Sequence, residues 1–274
     1  ELSSSLDVGG QIRERSQLDA KDVSPDASTA DFHELRTRLH LGFAPTERVE
    51  AFVQLQDSRR FGNGSGTLSP PTGTIDLHQA YFKVDALSGT PLSLKLGRQE
   101  LAYGNQRLVG SVGWHPRGRT FDGGVLAYEG EAASVDLFAA RLAPGFSGTA
   151  VAEVGSNNLL GLYSTWALGD SQTLEAFALL DNNTREVADE TALTRLTPGL
   201  ALRGTRSAIS YTLEGAYQTG TQAGVPIRAS LLSATVGYAF GTGSPSMDMG
   251  YTRVSGDPNG VSDGERGTFN TLFA

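Results

Sequence analysis

Basic side chains two residues apart recur early in this 274-residue chain: Arg13 and Arg15, then Arg36 and Arg38. Arg60, Lys95, Arg98 and Arg119 continue the series. In a strand, two-residue spacing puts side chains on one face. A set of guanidiniums lining a narrow, poorly screened channel binds carboxylates bidentately yet lets them step from site to site. The competing assignment is a cross-strand ladder. There the same cations pair with Glu34, Glu50, Asp57, Glu100 and Asp122 and merely solvate a wall.

Other chemistries find no support. His33, His40, His78 and His115 share no strand-neighbour spacing, so no metal site is expected. Asp257, Asp263 and Glu265 lack the spacing of a calcium loop. The glycines from Gly62 to Gly66 precede no helix and so form no phosphate cradle. Ser111 and Ser164 lie in no nucleophile elbow. The absence of cysteine removes thiolate ligands, disulfides and cysteine nucleophiles together. No carboxylate pair has spacing suited to acid–base work. No catalytic residue, metal or cofactor is expected, and an enzyme is the least favoured class.

Net charge is −8, all of it from residues 121–274, because residues 1–120 carry 14 basic and 14 acidic side chains. A nucleic-acid binder of this size would show a basic surplus. No apolar run reaches the ~18–20 residues that a spanning helix needs. The mean hydropathy of −0.21 does not decide against a membrane, since a transmembrane barrel alternates lipid-facing and lumen-facing residues and its average cancels.

The elements that would position the arginines are strands. Leu35 to Phe43 alternates Leu, Thr, Leu, Leu and Phe with Arg, Arg, His and Gly. Val49 to Gln56 and Leu92 to Gly97 repeat the pattern. Thirteen such runs are expected near 5–15, 32–43, 48–58, 75–85, 91–100, 119–128, 132–141, 157–167, 172–181, 195–203, 208–218, 227–240 and 246–254. Short connections (44–47, 85–90, 129–130, 168–171, 204–207, 241–244) alternate with long ones (16–31, 59–74, 101–118, 142–156, 182–194, 219–226). Outer-membrane barrels have this rhythm, with tight periplasmic turns and extended external loops.

The fold class expected is therefore all-β: a transmembrane antiparallel up-and-down barrel, one domain over residues 1–274, in the bacterial outer membrane. Bacterial single-chain barrels close with an even number of strands. Thirteen therefore implies an incomplete barrel, with C-terminal strands missing or another chain closing the wall. Strand alternation assigns Arg13, Arg15, Arg36, Arg38, Arg60 and Lys95 to the lumen. Arg98 and Arg119 join the same substrate-binding set from strand ends. Leu35, Leu39, Leu41, Val53, Leu55, Leu92, Leu94 and Leu96 are assigned to the lipid. Several of Trp114, Trp166, Tyr128, Tyr163, Tyr211, Tyr217, Tyr238 and Tyr251 should form interfacial girdles.

Residues 92–129 carry LSLKLGRQEL, then RLVGSVGW, then RTFDGGV, and closely resemble the alginate export family. LRTRL at 35–39, AFVQLQDSR at 51–59, DLHQAY at 76–81 and SGD at 255–257 support the likeness. The resemblance implies an eighteen-stranded monomeric outer-membrane porin passing an anionic polysaccharide through an arginine-lined lumen. It also implies four or five strands after Ala274. The partners implied are the lipid bilayer, lipopolysaccharide, an anionic saccharide and periplasmic export proteins, with no nucleic acid. The alternatives are a general anion-biased solute porin and a structural barrel anchoring a larger assembly.

Overall fold

A computed structural model describes residues 4–19, 30–63, 75–143, 158–183, 192–241 and 245–273. These form a single 13-stranded sheet in which every strand pairs antiparallel with its sequence neighbour. The strands are β1 (Ser5–Asp19), β2 (Ala30–Thr46), β3 (Val49–Asn63), β4 (Asp76–Val84), β5 (Leu92–Gln99), β6 (Phe121–Glu129) and β7 (Ala133–Leu142). They continue with β8 (Asn158–Ala167), β9 (Gln172–Asn183), β10 (Leu193–Arg206), β11 (Ile209–Gln222), β12 (Val225–Ala239) and β13 (Ser246–Val254). Among the described residues no ladder joins β1 to β13.

Alternation makes this sheet two-faced. Leu39, Leu41, Val53, Leu55, Leu160, Leu162, Leu213 and Leu232 stand exposed on one face. Leu35, Leu92, Leu94 and Leu96 share that face half-buried. The opposite face carries buried Glu34, Arg36, Arg38, Gln56, Glu175, Arg195 and Glu214. A soluble sheet would bury the first set and expose the second, so the surrounding solvent of the outer face is apolar. The outer face ends in aromatic side chains where the short turns lie: Phe43, Phe82, Tyr128, Trp166, Tyr211 and Tyr238. This is an interfacial girdle. Four candidates are placed elsewhere: Tyr163 is buried on the inner face, Trp114 lies in the β5–β6 connection, and exposed Tyr217 and Tyr251 stand further along their strands from the short turns.

One connection breaks the expected rhythm. Instead of a long loop over 219–226, β11 and β12 run on to a two-residue turn at Ala223 and Gly224. Their φ values of 53° and 75° are those of a type I′ hairpin. A polar composition concealed this hairpin, since Gln, Thr and Gly serve equally in a loop or in a strand above the lipid band.

Candidate functional site

The inner wall of β1–β3 gathers the arginines expected in the lumen. Arg13, Arg15, Arg36, Arg38 and Arg60 all project there, around the residues that connect β5 to β6. That connection, residues 100–120, folds inward against the wall. Arg13 donates to the carbonyls of Gly113 (2.8 Å) and Trp114 (2.9 Å). Arg36 donates to Gly113 (3.0 Å), His115 (3.2 Å) and the Gln11 amide oxygen (2.7 Å). The Gln56 amide donates to the Arg117 carbonyl and the Ser58 hydroxyl to the Pro116 carbonyl, each at 2.8 Å. Arg15 also covers the Trp114 ring, 3.9 Å from its centroid.

Carboxylates take a share of these cations. Glu34 receives Arg15 and Arg60, and Glu100 receives Arg38 at 3.3 Å. His78 Nε2 lies 2.7 Å from the same Glu100 oxygen. His78 reaches it because a register shift in the β3–β4 ladder skips it: Gln54 faces Gln79 and Leu55 faces Leu77. The extra residue is a β-bulge, which re-aims one side chain against strict alternation. Glu100, just beyond the end of β5, would be raised by burial alone. The hydrogen bond from His78 and the charges of His78 and Arg38 outweigh that and hold it below the ordinary glutamate range. In the loop, burial and then the Arg117 charge lower the His115 imidazole.

Ladder pairing and loop anchoring together still leave donors over. Arg36 and Arg38 are 4% and 9% exposed. Arg15 Nε and Nη1, Arg36 Nε and Arg38 Nη2 are buried without a hydrogen-bond partner. Lys95 sits on the same wall with its ammonium 3.8 Å from the Tyr81 ring centroid. Arg119 enters where the loop returns to β6, beside Arg117, His78 and His115 around a cavity. Arg98 departs from the set. It shares the outer-face parity of Leu94 and Leu96 and grips Asp122 bidentately at 2.7 and 2.8 Å, while its side chain also lines that cavity and donates to the Leu77 carbonyl at 3.3 Å.

The other arm of the loop rests on an apolar part of the same face. Leu101, Leu108 and Val109 pack with Phe121, Val125, Phe138, Leu159, Tyr163, Phe177 and Leu179. Phe138 and Phe177 lie over their direct cross-strand partners Gly161 and Gly199, where an added Cβ would collide with the ring. Asn105 and Arg107 both donate to buried Glu214 at 2.9 Å. A second segment, 255–273, folds onto this face beside the first. The Gln218 amide pairs with both backbone groups of Asn270. Phe273 bridges Val109 in parallel, its N–H donating to Leu108 and its carbonyl accepting from Gly110, both at 2.9 Å. The double-sided apolar runs Leu159-Leu160-Gly161-Leu162 and Phe177-Ala178-Leu179-Leu180 were the available signal for this packing. A strand facing only water on its inner side has no use for them.

A consecutive antiparallel sheet, apolar outside and charged within, with the β5–β6 connection turned inward, is the architecture of a porin-type barrel of the bacterial outer membrane. The chain belongs to the alginate export family, whose model matches residues 4–274. No curated protein sequence matches it. Among solved structures it is similar to Pseudomonas aeruginosa OccK8 (OprE), at 14% identity and TM-score 0.62 over 98% of this chain and 73% of that one. A BenF-like porin from Pseudomonas fluorescens Pf-5 matches at 12% and 0.61 over 92% and 69%. Pseudomonas aeruginosa OccK2 (OpdF), solved in complex with glucuronate, matches at 13% and 0.58 over 93% and 65%. At these identities the likeness shows the fold. The chain spans less than two thirds of the length of OccK2 and, at 63%, of Pseudomonas aeruginosa OccK11 (OpdR).

Proposed function

We propose that this chain forms most of the wall of an outer-membrane pore through which an anionic saccharide diffuses passively, along the arginines of β1–β3. The observation that carries the reading is the surplus of cation on that wall. Five guanidiniums meet two carboxylates, buried Glu34 and half-buried Glu100, and donors of Arg15, Arg36 and Arg38 remain unmatched. Such donors away from bulk water attract an anion strongly. Family membership supports a polyuronate, and the glucuronate complex of OccK2 supports sugar carboxylates as the ligand chemistry. Open strand edges are not tolerated in hydrocarbon, so the pore requires further strands or another chain against β1 and β13.

The inward segments favour a second reading, a structural barrel whose lumen they plug. Reversal potentials of the full-length protein in a planar bilayer separate the two. Anion selectivity that falls or inverts in Arg38→Glu, with the melting temperature kept, supports the saccharide path. Unchanged selectivity with a lowered melting temperature supports the ladder and retires the path.

A further inference from the structure

On the outer face, the loop-side ends of β5–β9 carry a row of polar residues in direct cross-strand register: Arg98, Asp122, Arg141, Asn158 and Asn182. Each shares parity with lipid-facing leucines of its own strand, such as Leu126, Leu137 and Leu160. A polar side chain at that parity belongs at the upper limit of the apolar band. Strand β8 gives the scale. From Trp166 in the turn-side girdle to Asn158 is eight residues, roughly 27 Å along the strand at ~3.4 Å per residue. With a tilt of ~40° that is roughly 21 Å of height, close to the ~25 Å apolar band of such barrels. The row thus lies at the headgroup level of the outer leaflet.

Within the row the cations are treated unequally. Arg98 is neutralised by Asp122, as Arg59 is by Asp57 at 2.8 and 2.9 Å. Exposed Arg141 has no carboxylate partner among the described residues. Among the described residues it donates only to the neutral Asn158 amide oxygen, at 3.3 Å through both Nε and Nη2. Beside it the Asn182 amide oxygen is buried with no partner. A groove runs between these groups, floored by Ala139 and Leu160 and edged by Asp122, Arg141, Asn158 and Asn182.

We propose that this groove binds the phosphorylated glucosamine headgroup of lipopolysaccharide. Arg141 takes a phosphate, Asn182 accepts a hydroxyl or amide hydrogen of the sugar, and an acyl chain lies along Leu160. The charge is complementary, and the groove opens on the leaflet that holds this lipid. A zwitterionic lipid would supply a compensating ammonium for which the row has only the already engaged Asp122.

The test is native mass spectrometry of the full-length protein, titrated in detergent with bisphosphorylated lipid A. A saturable adduct is expected, and Arg141→Glu should weaken it roughly tenfold, the factor of one charge-assisted contact. Arg141→Gln, which keeps the stem, should do likewise and serves if the glutamate variant does not fold. Asn182→Ala should weaken it less. Dephosphorylated lipid A should bind poorly, and inorganic phosphate should not displace the adduct. Equal binding by either Arg141 variant, by dephosphorylated lipid A or by phosphatidylglycerol would overturn the assignment. So would displacement by free phosphate. None of these outcomes bears on selectivity in the lumen, so this site and the saccharide path stand or fall separately.

Discussion

Arg13 and Arg36 face each other directly across the β1–β2 ladder and share one acceptor, the carbonyl oxygen of Gly113. Like charges in that position are destabilising. Here a loop carbonyl stands between them, so the repulsion becomes a two-pronged grip on residues 100–120. The pair links the two roles weighed for the arginines, because a cation occupied by the loop is freed if the loop moves.

Removing both prongs should loosen the loop without dissolving the wall. Arg13→Ala with Arg36→Ala removes five hydrogen bonds, to Gly113 (twice), Trp114, His115 and Gln11. The expected outcome is a larger single-channel conductance with more flicker, and a melting temperature lowered by several degrees, as for a loss of ~1–3 kcal/mol. Conductance equal to wild type would mean that the loop stays seated without its arginines.

Glu100 gives the grip a dependence on acid. Its carboxyl is held below the ordinary range, so its contribution to stability is complete above the unfolded-state value near ~4.3 and is lost as pH falls through the lower folded value. Melting temperature followed from neutrality to about pH 3 should therefore fall more steeply in wild type than in Glu100→Gln. Parallel curves would remove Glu100 from the account.

The lipid face offers a separate test of the fold. Leu94→Arg places a charge mid-strand on the outer face and should cost ~2–4 kcal/mol in a bilayer. Equilibrium unfolding from lipid vesicles measures this. A negligible cost would mean that Leu94 faces water.

Much of this architecture was legible in the residues, because a strand that divides two solvents must alternate. The inner placement of Arg36 and Arg38 follows from their parity with one another and against Leu35 and Leu39. Other features depend on where the chain breaks parity or folds back. His78 turns inward because a bulge inserts it, and no local signal marks that bulge. Arg98, an odd number of residues from both Lys95 and Gln99, takes the opposite parity and becomes part of the outer polar row. The seating of Gly113 between two arginines, or of Phe273 beside Val109, is a contact between distant segments. Two-residue periodicity carries no information about such contacts.

The bridge between Val109 and Phe273 yields the last prediction. The segments 100–120 and 255–273 meet there through two backbone hydrogen bonds, and Phe273 also packs edge-on against Phe121 of β6, centroids 5.6 Å apart. A polymer whose path crosses this bridge would have to part them. Bridged neighbours on adjacent extended segments stand at a separation that a disulfide spans, and the chain has no cysteine to compete. Val109→Cys with Phe273→Cys, in the full-length protein, should therefore form one defined cross-link. The oxidised protein should pass small ions but show reduced flux of oligouronate, and reductant should restore it. Equal oligouronate flux in the oxidised and reduced states would mean that the path runs beside the bridge and that the two segments are a fixed part of the wall.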